Sequence, residues 1–234
     1  MTLFDPLFHY SHKIGYEPEL IEKIVTGEKY TAVLLKNGNI GVCANLTTEF
    51  EVKSAIPTQI NISSSTHRII YTSYLNALLN YENTYNQKLD IFQAIDFKDY
   101  ETITMIGYFI PLVKKFDNIG IDLNIFDNAM EDERLLPEEK KEEYVRTADC
   151  LIVSGTTIQN GTFSHLLSQT KEKCDIFLLG PSSIMNEDMF SNTTIKVIFG
   201  AIFEKNDESV LELIKEGHGT RDFIKFGQKV VFVK

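Results

Sequence analysis

From Thr102 onward the chain alternates between short apolar runs and longer amphipathic ones, a pattern that few folds accommodate. The segment "TITMIGYF" precedes "IPLVKKF", "IDLNIFD" precedes "PEEKKEEYV", "DCLIVSG" precedes "IQNGTFSHLLSQT", "CDIFLLG" precedes "SSIMNEDMF", "IKVIFGAIF" precedes "DESVLELIKEG", and "KVVFVK" follows. A strand, a helix and a second parallel strand cross over with one hand, and helices so placed cover both faces of a parallel sheet. Residues 96–234 are therefore expected to form a Rossmann-like α/β domain.

The first half reads differently. "YTAVLLK" and "IGVCANL" flank "NGN", an Asn-Gly signal between two strand-like runs, which predicts a hairpin over residues 30–46. Ahead of it "EPELIEKIVTG" carries helical spacing, with Pro18 near its start and Gly27 after its end, so a helix is expected there. After it, cap-forming serines lead into "THRIIYTSYLNALLNYE", a predicted helix over residues 66–80. On that helix Arg68, Thr72, Asn76 and Asn80 are four apart and make one polar stripe, expected to face the carboxyl-terminal edge of the sheet. Residues 1–95 thus read as a smaller α+β domain, with the boundary inside "ENTYNQKLDIFQAIDFKDYE".

Ligands of open parallel sheets bind beyond the carboxyl ends of the strands, where helix starts offer free amides. Gly107, Gly155, Gly180 and Gly200 each follow an apolar run, and glycine there lets the chain turn sharply and lets a ligand approach the backbone. The first turn, "GYFIP", lacks the further glycines of a dinucleotide fingerprint and puts Tyr108 and Phe109 where a pyrophosphate needs bare backbone, so NAD or FAD in the usual mode is not expected. Asp127 ends the second run, where an acidic side chain commonly holds a ribose hydroxyl. In "SGTTIQNGT", one threonine is explained by capping, but Asn160-Gly161 inside an expected helix is not, since glycine costs about 1 kcal/mol there relative to alanine. Locally unfavourable choices gather where function demands them, so Thr156, Thr157 and Asn160 are candidate ligand-binding residues. His218, in the glycine-flanked "GHGTRDF", is another.

A net charge of -10 argues against a nucleic acid or an anionic membrane as partner, because both reward basic patches. No window reaches the roughly eighteen apolar residues of a membrane span, and the odd set Cys43, Cys150 and Cys174 lies far apart in apolar runs, as in a chain of the reducing cytoplasm. HExxH, paired CxxC, P-loop and GxSxG patterns are absent. His9 and His12 are three apart near one end, and a cleft metal site would need His67, His218 and Asp127 to meet, so no transition metal held by the protein is expected.

Taken in order, "KYTAVLLKNGNIGVCAN", "LNALLN", "SGTTIQNGT", "LLGPSS", "IFGA" and "EGHGTRDFIKFGQKV" closely resemble one family, known as putative heavy-metal chelation. The resemblance spans nearly the whole chain and is strongest over residues 148–229. It implies an enolase N-terminal-like domain joined to a Rossmann-like domain, with a site between them. Carried over by position, it implies roles for Asn76, for Thr156, Thr157 and Asn160, and for Gly180, Pro181 and Ser182. Where members carry a further proline and a "GMAA"-like run, this chain reads Ile184-Met185-Asn186 and "IIYTSYL". The implied activity is condensation or hydrolysis of a pterin-, flavin- or siderophore-like chelator. The expected partner is a small polar or anionic molecule or its metal chelate, with no cofactor named and homo-oligomerisation left open. A non-catalytic metal-binding or metal-homeostasis regulatory protein is the alternative.

Overall fold

The computed structural model describes residues 4–45, 54–85 and 91–234. The chain opens with α1 (Pro6–Lys13), capped by the Asp5 carboxylate, which accepts from the Leu7 and Phe8 amides. Three antiparallel strands follow, β1 (Ile21–Thr26), β2 (Tyr30–Leu35) and β3 (Ile40–Ala44), in the order β1-β2-β3. The expected hairpin is β2–β3, with Gly38 at φ +91 in its turn; its last expected residue, Leu46, lies outside the described residues.

The helix expected in "EPELIEKIVTG" is instead a 3-10 turn, Pro18–Leu20, running into β1. Ile21 and Ile24 are both buried, and this three-residue spacing imitates a helix. A register shift between Ile21 and Lys23 supplies the extra residue that returns Ile24 to the face of Ile21, so a bulged strand satisfies the same pattern.

Next comes α2 (Ser65–Leu79), buried along most of its length. It lies so close on β3 that a Cβ at Gly41 would fall 2.1 Å from the Ser73 carbonyl oxygen. Tyr71, Tyr74 and Leu75 are fully buried, and burial of the Leu75 side chain alone stabilises the fold by about 2 kcal/mol.

The second half is the expected alternation. It runs α3 (Ile91–Ala94), β4 (Ile103–Ile106), α4 (Ile110–Ile119), β5 (Asn124–Phe126), α5 (Lys141–Thr147), β6 (Cys150–Ser154), α6 (Thr156–Gln159) and α7 (Phe163–Gln169). It continues with β7 (Asp175–Leu179), α8 (Glu187–Ser191), β8 (Ile195–Phe203), α9 (Glu208–Lys215), α10 (Thr220–Phe223) and β9 (Gly227–Val233). The sheet order is β5-β4-β6-β7-β8-β9, parallel except for β9, which runs antiparallel to β8. The chain steps outward from β4 to β5 and returns to β6 on the other side, so the order reverses between β4 and β6. Ligand crevices form at such a reversal.

Two expectations about this half change. The single helix of "IQNGTFSHLLSQT" is two short ones, because Gly161 takes φ +79 and Asn160 accepts from the Thr162 amide and hydroxyl between them. Gly200 is not a strand end: β8 continues through it to pair with β9. A Cβ there would come within 2.6 Å of Met185 Sδ, so its small size admits the Met185 side chain.

One apolar core joins α1 and α2 to one face of the parallel sheet, including Leu151, Val153, Ile176 and Leu178. A second lies on the opposite face, where Ile91, Ile95 and Phe97, around the expected boundary at residue 95, all pack with Phe116 and Phe177. The fold is mixed α/β, a mostly parallel sheet with a smaller antiparallel one. No helix among the described residues is long and apolar enough to cross a membrane.

Candidate functional site

The three strand-end glycines converge on one edge of the sheet. Gly107 and Gly180 adopt φ +104 and +113, which only glycine enters freely. Gly155 has an ordinary φ of -55, but a Cβ on it would meet the Ser183 hydroxyl at 2.7 Å and the Ser183 amide nitrogen at 2.8 Å. Its hydrogen side chain lets the loop after β7 close onto the loop after β6.

Six amides of these strand-end loops are already used. Gly107 N–H donates to the Phe126 carbonyl, Gly155 N–H to Leu179, Gly180 N–H to Phe199 and Ser183 N–H to Gly180. Tyr108 N–H donates to Asp127 at 2.7 Å, and Thr156 N–H to the Ser154 hydroxyl at 3.3 Å. Asp127, considered above as a ribose partner, spends its carboxylate on the Tyr108 and Ala129 amides and holds the loop. α6 is a single turn, too short to present a helix start.

The threonine and asparagine motif is divided by the fold. Thr156 Oγ1 donates to the Ser154 hydroxyl and Thr157 Oγ1 to the Ser154 carbonyl, both at 2.8 Å. Asn160 is exposed and occupied with Thr162. The neighbouring Gln159 turns inward instead, buried, with Nε2 donating to the Ala44 carbonyl at 3.2 Å. Sequence reasoning passed over Gln159; its one signal is the Asn160-Gly161 break that ends α6 just after it.

Against this edge lies α2. Arg68 Nε donates to the Gln159 carbonyl at 2.8 Å and its terminal nitrogens to the Ile158 and Ile62 carbonyls and to Asp5. Asn76 Nδ2 donates to Val42 O at 2.9 Å and to Pro181 O at 3.2 Å. Asn80 Nδ2 donates to Ser183 O, and its Oδ1 accepts from Met185 N–H at 2.8 Å. The stripe therefore faces the strand-end loops, as its spacing indicates. The end of β3 joins the seam, with Ala44 N–H donating to Ser182 Oγ at 3.0 Å. The Cys43 thiol lies beside the Ser182 and Thr72 hydroxyls, and burial holds it far above the usual thiol range, so it stays protonated.

Four buried polar atoms along this seam have no nitrogen or oxygen hydrogen-bond partner: Thr72 Oγ1, which has only the weakly accepting Cys43 thiol beside it, Asn76 Oδ1, Gln159 Oε1 and Ser183 Oγ. Each such atom costs a fold about 1–3 kcal/mol, so four along one interface need a reason.

Of the residues singled out above, Asn76, Gly155, Gly180, Pro181 and Ser182 are brought to the seam, with Gly107 beside Ser154 at its margin. His218 is not. It is exposed between α9 and α10, faces Glu216 and Asp222 at 3.5 and 3.3 Å, and lines a shallow depression of about 480 Å³ with Glu212 and Phe226. His67 accepts from the Asn61 amide through Nδ1.

The described side chains do not fit a heavy metal held directly by the protein. Among the described residues no three His, Cys, Asp or Glu side chains group as metal ligands. Soft metals take thiolates, and each of the three thiols is buried without such a group around it.

Two solved structures share this fold, both described as proteins of unknown function from the family DUF364. The one from Desulfitobacterium hafniense DCB-2 is 19% identical with a TM-score of 0.79, covering 99% of each chain. The one from Pyrococcus horikoshii is 21% identical with a TM-score of 0.73, covering 93% of this chain and 96% of its own. No curated protein matches. The family model described as "Putative heavy-metal chelation" matches residues 90–233, well over half of the chain. The protein whose strand-end loops and α2 meet along this seam therefore belongs to the putative heavy-metal chelation family, DUF364.

Proposed function

We propose that the protein binds a small polar molecule in the seam between α2, the end of β3 and the loops after β6 and β7. The observation that carries this is the set of four buried polar atoms without partners, at the carboxyl edge of the parallel sheet by β6 and β7, next to the reversal between β4 and β6. A ligand that completes those bonds repays a cost the fold otherwise bears. In a family described by heavy-metal chelation, we take that molecule to be a chelator or its precursor, with any metal held by the ligand.

A pterin-, flavin- or siderophore-like compound is the finer reading. Binding is favoured over a condensation or hydrolysis step, because a nucleophile needs an adjacent base and, among the described residues, the Cys43 thiol has the Ser182 and Thr72 hydroxyls beside it. Asn76, Ser182 and Gln159 would orient the ligand. Thr156 and Thr157 would support it through Ser154, which both contact.

Native mass spectrometry of protein purified without chelators tests this. A co-purifying small molecule, released on denaturation and lost in Gln159→Ala, is the expected result. Stoichiometric metal on the ligand-free chain would sink it and favour direct metal binding.

A further inference from the structure

Resting on the site proposed above, we infer that its ligand is recognised through hydrogen-bond donors that the ligand itself carries, on an uncharged group bearing N–H or O–H, and not through an anionic group. The carbonyls of Val42 and Pro181 can only accept, so the atom of Asn76 that faces them is the nitrogen. The Ala44 carbonyl fixes Gln159 in the same way. Both amide oxygens are thereby committed to the other side, where each is buried and unpartnered. Two acceptors need donors, and the Thr72 and Ser183 hydroxyls can adapt in either sense.

Among the described residues no unpaired positive charge is left here to balance an anion. Arg68 directs its guanidinium at three carbonyls and Asp5. The Gly107, Gly155 and Gly180 amides are spent on neighbouring strands, and those of Tyr108, Thr156 and Ser183 on the loops themselves. A carboxylate or phosphate would meet two amide oxygens, which repel it. Among the described groups that line the seam a cation would find no unpaired carboxylate, since Asp5 is held by Arg68, and an unbalanced buried charge is costly. An uncharged donor group meets neither objection. The four atoms are closed to solvent, so α2 and the loop after β7 must part for the ligand to enter.

The test uses the full chain and three probes: N-methylurea, methylammonium and inorganic phosphate. The side-chain amide signals of Asn76 and Gln159 are followed by NMR during titration. N-methylurea is expected to shift both signals saturably, and Thr72→Val combined with Ser183→Ala should weaken it at least tenfold. Because those near-isosteric changes remove unpartnered hydroxyls, each should also raise the melting temperature of the ligand-free protein by about 2–4 °C. A purely structural role for the hydroxyls would lower it. Phosphate or methylammonium shifting the two amides, with N-methylurea silent, overturns the ligand class and leaves the site standing. Saturable binding mapped elsewhere, or no probe reaching the seam, overturns the site and with it the class.

Discussion

The far face of the parallel sheet and the seam at its carboxyl edge are built on opposite terms. On the far face the Phe97 ring lies 4.7 Å from Phe116, 5.3 Å from Phe92 and 6.1 Å from Phe177, edge to face, in an apolar cluster. Along the seam, side-chain amides and a guanidinium hook backbone carbonyls, and four polar atoms remain unpaired. The first region is what a chain does for stability alone. The second accepts a cost, and the difference points to where binding was favoured over stability.

Substitutions can break or sharpen that contrast. The largest effect belongs to the far face: Phe97→Ala should lower the unfolding free energy by about 4 kcal/mol, measured by denaturant titration, with little effect on ligand binding. A binding loss as large as the stability loss would merge the two regions. Arg68→Ala should cost about 3 kcal/mol, since it strands the Gln159 and Ile158 carbonyls, and Arg68→Lys should recover only part because one ammonium cannot span them. Asn80→Ala should cost about 2 kcal/mol by unpairing Ser183 O and Met185 N–H. Thr72→Val should act in the opposite direction, adding about 1 kcal/mol in the same titration; a clear loss would show that the hydroxyl is already satisfied.

The smallest effect lies at the other end of the sheet, just before β6. Lys171 and the Thr102 hydroxyl hold the Asp149 carboxyl below the usual carboxylate range. A folded-state pKa below the unfolded one adds stability above the unfolded value, about 4, and that contribution fades as pH falls through the folded value. Asp149 is partly exposed, so Asp149→Asn should flatten the acid limb of the stability profile only slightly. A large flattening would mean that this end, too, carries buried electrostatics.

The sequence by itself determined the alternation that makes the parallel sheet, the Asn-Gly hairpin, the strand-end turns at Gly107, Gly155 and Gly180, and the polar stripe of α2. These follow from local periods and from backbone angles that few residues tolerate, both properties of neighbours in the chain. It also carried the family resemblance through its ordered motifs. Tertiary structure decided the rest. Ile21 and Ile24 share a face only because β1 bulges against β2, a pairing that no helical or strand period encodes. Gly200 sits inside β8 because β9 pairs along it, and its missing side chain answers to Met185. Gln159, Ser183 and Cys43 lie at the seam while Asn160, Asp127 and His218 do not, because hydrogen-bond partners such as Ala44, more than a hundred residues from Gln159, are chosen only once α2 closes on the strand-end loops. Periodicity says which face a side chain takes. Whether its polar atoms find partners there depends on what the rest of the chain brings to that face, and only the assembled fold sets that.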